Sequence, residues 1–119
     1  MTLDIMIIYG LLIHYLGDFA LQTHWQATNK STNVEALSKH VGVYSLVWFI
    51  ALIPILGVIG SLFFTIITFM AHWLTDYATS PFTGKAFREQ DYHNAFAIIG
   101  FDQILHYIQL YYTFKLLLL

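Results

Sequence analysis

The sequence predicts an all-α protein, a four-helix transmembrane bundle, and three observations carry that prediction. Its 119 residues are 58% hydrophobic and 10% charged, whereas a soluble domain usually has about 25% charged residues. Four segments approach the run of roughly 20 mostly apolar residues that a membrane crossing needs. Polar and ionisable side chains are not scattered along those segments but recur near one end of each. So few charges cannot cover a globule's surface, and the length allows one small integral membrane domain over residues 1–119.

The four expected spans run over about residues 3–22, 38–56, 57–79 and 94–119. MTLDIMIIYG at the N-terminus has no basic n-region and no small-residue cleavage site, so it reads as the first span rather than a signal peptide. The second and third spans are separated only by Pro54-Ile55-Leu56-Gly57, which predicts a tight helical hairpin. Ser80-Pro81 predicts the end of the third helix, because proline disfavours helical geometry in the residue before it. Asn94 is the expected start of the fourth. Gly10, Gly17 and Gly42 are expected to allow close helix approach.

Two polar connections remain, residues 23–37 and 80–93, and alternation of the spans puts both on one side of the membrane. They hold Lys30, Lys39, Lys85 and Arg88 against a lone Lys115 towards the other side, which places them in the cytoplasm. Phe82 and Phe87 alternating with Lys85 and Arg88 fit a segment lying among anionic headgroups, or an ordinary solvated loop. A net charge of -2 gives no sign of nucleic-acid binding. The absence of cysteine excludes disulfides and thiolate metal sites.

The chemistry sits in three pairs. HYLGDFA, residues 14–20, and HWLTDYA, residues 72–78, both place a histidine and an aspartate one helical turn apart, and Asp102 and His106 repeat the spacing in reverse order. Six histidines and five aspartates scattered at random would give about 0.5 such pairs. Residues four apart share one helix face. Because the fourth helix runs opposite to the first and third, the reversal puts every aspartate nearer the cytoplasmic surface and every histidine about 6 Å deeper. His40 opens the second span beside these layers. Intramembrane carboxylates cost roughly 2.5–3.5 kcal/mol on insertion scales and are functional by default.

Imidazole and carboxylate together are ligands for a divalent cation, zinc before manganese or magnesium. The candidate ligands are His14, Asp18, His40, His72, Asp76, Asp102 and His106. Seven exceed one tetrahedral shell and suit two ions, or one ion with outer partners. Within the set, His40, Asp102 and His106 are candidates for acid–base work, and Gln22 and Gln103 for orienting water or substrate. Each pair alone also reads as an in-helix ion pair. His24, Trp25, Asp91 and His93 read as interface or cap residues, and Trp73, Tyr44, Tyr77 and Tyr107 as packing and belt aromatics. The likeness of HYLGDFA to HWLTDYA fits a duplicated two-helix hairpin with the active groups at the repeat interface.

These motifs resemble a family of small bacterial and phage membrane proteins grouped as a domain of unknown function. Its pattern is matched here by His14, Asp18, Phe19, Leu21 and Gln22; by Leu37 and His40; by His72 and Asp76; and by Asp102, Gln103 and His106. The match runs the length of the chain, with one departure: a lysine tends to follow the third motif where Thr79 stands here. The resemblance implies a bacterial inner membrane or phage-encoded setting and a shared site, but no reaction. A looser likeness to membrane-bound metal-dependent hydrolases implies hydrolysis of a lipid or lipid-linked substrate near the cytoplasmic interface. A cation or proton transporter built on the same cluster, and a structural or regulatory subunit, are the alternatives. Homo-oligomer formation is compatible with all three.

Overall fold

A computed structural model describes residues 2–118, and every element in it is helical. Helix α1 spans Leu3–Tyr15, capped by the Thr2 hydroxyl accepting from the Ile5 amide. It runs into a π turn over Leu16–Ala20, closed by the Leu21 amide donating to the Leu16 carbonyl at 2.9 Å. Short α2, His24–Asn29, starts in a capping box in which Thr23 and Gln26 satisfy each other's amides. Helix α3 spans Val34–Arg88, capped by Asn33 Oδ1 accepting from the Glu35 and Ala36 amides. Helix α4 spans Tyr92–Leu118.

Fifty-five helical residues laid straight would reach about 80 Å, yet the longest dimension of the molecule is 45 Å. The fold-back is at Gly57, with φ +72° and ψ 177°, a conformation essentially reserved for glycine. The expected hairpin therefore turns on one residue, while Pro54 stays inside the helix. His40 lies against His72 and Trp48 against Phe64, pairs equidistant from Leu56, which fixes the register of the two arms. With α1 and α4 they make the four rods.

The expected stop at Ser80-Pro81 is not where α3 ends. The helix continues through Pro81 to Arg88. Pro81 is on the exposed face, while Ser80 and Ala86 on the buried face hold the helix on both sides of it. The end comes at Gln90, left-handed at φ +58°, with the Asp91 amide closing on the Ala86 carbonyl at 2.9 Å. Asp91, not Asn94, caps α4: its carboxylate accepts from the Asn94 amide at 3.3 Å and from the Asn94 side chain at 2.7 Å. Gly17 does lie against a neighbour, Tyr44, but Gly42 faces open space.

Polarity is inverted relative to a soluble bundle. Leu3, Ile59, Phe82 and Leu116 are each exposed over more than half of their surface, while His14, Asp18, His40, His72, Asp76 and His106 are buried. Among the described residues, two helical stretches are long and apolar enough to cross a membrane, Leu3–Ala20 and Val34–Arg88. At the Gly57 end the core is mostly aromatic and aliphatic, built on Tyr44, Trp48, Leu52, Phe64 and Leu110, with the hydroxyl residues Ser61, Thr68 and Thr113 buried among the helices. The buried ionisable groups fill the other half.

Candidate metal centre

Four elements deliver the site. The π turn carries Asp18, the first arm of α3 carries His40, the second carries His72 and Asp76, and α4 carries Asp102 and His106. Turns of π type are rare and concentrate at functional positions.

The tightest group is Asp18, His40, His72 and Asp76. His40 Nε2 lies 3.0 Å from Asp18 Oδ1 and 3.3 Å from Asp76 Oδ2. His72 Nε2 lies 3.3 Å from each of the same two oxygens. The two Nε2 atoms are themselves 3.2 Å apart. Hydrogen bonding does not account for this crowding, since two Nε2 atoms hold at most two protons for five close approaches. A cation at the centre would satisfy all four atoms. Tetrahedral ligands at about 2.0 Å from an ion stand about 3.3 Å from one another, the spacing seen here.

The rings are packed against other rings rather than fixed by the usual hydrogen bond to the other nitrogen. His72 is 4.0 Å from the Tyr44 ring and 4.1 Å from that of His106, centroid to centroid. Nδ1 of His40 and of His72 is buried with no partner among the described residues, a departure from most histidine ligands.

His106 is different. Its Nδ1 donates to the Asp102 carbonyl at 2.8 Å, since a carbonyl can only accept. In neutral imidazole that leaves the Nε2 lone pair, which is buried, unpartnered and 3.5 Å from Asp76 Oδ1. With Asp18 and Asp102, His106 forms a second group that could hold an ion. Asp18 is common to both.

His14 was expected among the ligands but lies outside both groups. Its Nε2 is 2.6 Å from Gln103 Oε1 and its Nδ1 is 2.7 Å from the Tyr44 hydroxyl. The Gln103 oxygen accepts, so Nε2 donates and Nδ1 is free to accept from Tyr44. Both nitrogens are engaged, and no lone pair faces the centre. Gln103 in turn donates from Nε2 to Asp18 Oδ2 at 3.1 Å and Asp102 Oδ2 at 3.2 Å. Its amide orients carboxylates, whereas the sequence suggested water or substrate.

Three contributors escaped the sequence reading. Tyr44 was read as packing, although it follows His40 by four and so shares its face. Thr79, three beyond Asp76, donates to Asp102 Oδ1 at 2.6 Å. Lys30, carried over the site after α2, brings Nζ to 3.5 Å from Asp76 Oδ2. No spacing rule links a loop lysine to a helix 46 residues on. His24 and His93 are exposed and take no part.

A cavity of about 680 Å³ opens onto the carboxylates of Asp18, Asp76 and Asp102. On the far side the rings of Trp48, Phe64 and Phe114 pack in tilted and edge-on pairs with centroids 4.9–5.7 Å apart.

Residues 6–118 match the family model described as a protein of unknown function, DUF3307. The chain belongs to the DUF3307 family. No curated protein and no solved structure matches it. The match takes in all seven candidate ligands of this DUF3307 chain, and the family's description assigns them no reaction.

Proposed function

We propose that this protein is a membrane-embedded, metal-dependent hydrolase acting on a lipid or lipid-linked substrate near the cytoplasmic interface. The observation that carries the reading is the packing of four ligand atoms from three segments at tetrahedral spacing, under an open cavity. The apolar exterior and polar interior support a bilayer as the surrounding solvent. Lys30, Lys39, Lys85 and Arg88 favour the cytoplasmic face for the cavity mouth.

Asp18, His40, His72 and Asp76 would hold the ion. Two imidazoles with two carboxylates favour zinc, and the spacing is closer to its tetrahedral shell than to the roughly 2.9 Å edge of an octahedral magnesium site. Four protein ligands fill a tetrahedral shell, so an ion held there would act by admitting one further oxygen, from water or substrate, and would supply it with Lewis acidity. The remaining work belongs to the chain. Asp102 is 9% exposed against 3% and 1% for Asp18 and Asp76, so it is the carboxylate best placed to take a proton from water in the cavity. Thr79 and Gln103 hold its two oxygens, and His106 lies 3.3 Å behind with Nδ1 on its carbonyl. Beyond the site the rings of Trp48, Phe64 and Phe114 lie beside a short hydrogen-bonded chain from Thr68 through Gln109 to Thr113, with no ionisable group in it. This gathering of the titratable groups at the mouth favours chemistry there over conduction through the chain.

The test is the metal content of detergent-purified protein together with ester and phosphoester turnover. The expected result is about one or two ions per chain, lost with activity in Asp76→Ala, and an Asp102→Asn protein that keeps its ion but not its turnover. Metal-free protein with an intact fold would refute the reading.

A further inference from the structure

The mouth of the cavity carries chemistry that the metal centre does not use. Lys39 and Lys85 are exposed and sit beside Glu35 and Glu89 of their own helix, at 3.0 and 4.0 Å. The other two cations of this region, Lys30 and Arg88, line the cavity. Lys30 has only Asp76 for a counter-ion, and Arg88 meets no carboxylate among the described residues. The lining thus sets these two cations against the carboxylates of Asp18, Asp76 and Asp102, and only with a dication bound between Asp18 and Asp76 do the cations prevail.

Neutral donors gather at the same place. Ser80 lines the cavity with its hydroxyl buried and unpartnered among the described residues, at 6% residue exposure. Gly84 keeps the wall open: a Cβ there would lie 2.9 Å from Ser31 Oγ and 3.3 Å from an Arg88 guanidinium nitrogen. A hydroxyl and a guanidinium thus converge over a bare backbone. Phe87 and Ile99 give the same cavity an apolar flank.

We infer that this cavity binds a phosphate group, held between Lys30 and Arg88 with the Ser31 and Ser80 hydroxyls. The inference deepens the hydrolase reading and rests on it in one respect: a dication between Asp18 and Asp76 cancels their charge and leaves Lys30 free for a ligand. Two cations against Asp102 then favour an anion over a neutral headgroup. A tetrahedral anion with several oxygens uses donors spread around it, and guanidinium suits its geometry. The apolar flank accepts the ester's carbon chain.

Calorimetric titration of the full chain in neutral detergent tests this with two probes, inorganic phosphate and dihexanoyl phosphatidic acid, on samples of known metal content. Binding is expected, weakened about tenfold or more in Arg88→Ala and also weakened in Gly84→Ala, but unchanged in Lys85→Ala. If phosphate alone suffices the ligand is free phosphate, and if only phosphatidic acid binds it is a lipid headgroup. Metal-loaded wild type that takes up neither probe overturns this inference and leaves the metal centre standing. Equal binding by Arg88→Ala and wild type overturns it too. Arg88-dependent binding by metal-free protein supports it while removing the hydrolase reading.

Discussion

Nε2 of His40 and Nε2 of His72 face each other at 3.2 Å, nitrogen to nitrogen, from the two arms of a single helix folded at Gly57. Between neutral imidazoles one N–H···N hydrogen bond can span this gap, but it uses the donor's only Nε2 proton and leaves that ring's contacts with Asp18 and Asp76 without one. Two carboxylate oxygens crowd the same point. Four such groups, whose protons are too few to pair every contact, could hold a metal ion between them.

His40→Gln and His72→Gln should each lower zinc affinity by about a hundredfold or more, since even outer partners of a metal site are worth about 10–100-fold. Competition with a chromophoric chelator reads this directly. Affinity equal to the parent's in both variants would show that the pair is not part of a metal shell.

Gln103→Leu should lower metal affinity by about 10–100-fold without unfolding the protein. One amide fixes Asp18 and Asp102 and also receives the Nε2–H of His14. Removing it frees two carboxylates to turn away. The same chelator competition measures it, with helicity by circular dichroism as the check on fold. Unchanged affinity would mean that the carboxylates are held by something else.

Gly17→Ala and Gly42→Ala should separate cleanly in an unfolding titration in detergent. A Cβ at Gly17 would lie 2.8 Å from Tyr44 Cδ2 and 3.3 Å from its Cα, and backbone cannot step aside. Overpacking of this kind costs about 1–3 kcal/mol. At Gly42 nothing lies within 4 Å, so alanine should be neutral or stabilising by up to about 1 kcal/mol through helix propensity. Equal effects at the two positions would contradict the Gly17–Tyr44 contact.

That contrast also marks how far the sequence could be read. Composition and periodicity are enough for helices, and the four-residue spacing of histidine and aspartate is enough to bring Asp18, Asp76, Asp102 and His106 into one interior. Periodicity gives the face of a helix but not the atom that a side chain presents. Hence His14 reads as a ligand although Tyr44 and Gln103 take both its nitrogens. Local rules also lose to tertiary ones: Pro81 signals an end that burial of Ser80 and Ala86 overrides. Lys30 depends on the path of α2, which no pattern in α3 encodes.

Gly57→Ala should destabilise the protein by about 1–3 kcal/mol, because φ +72° with ψ 177° lies in a region that side chains exclude. All the cross-arm contacts of the centre depend on this turn, although it is 17 residues from His40 and 15 from His72 by position in the chain. The absence of cysteine makes the hairpin measurable, since Leu46→Cys and Ile66→Cys introduce the only thiols, both at exposed positions. Folded at Gly57, the labelled arms stand at neighbouring-helix distance, about 10 Å between axes. Unfolded into one straight helix, the same residues would be about 30 Å apart. Electron spin resonance should find the short separation in the parent and in Gly57→Ala, with the variant unfolding at lower denaturant. A long separation in the parent would remove the hairpin, and with it any common centre for His40 and His72.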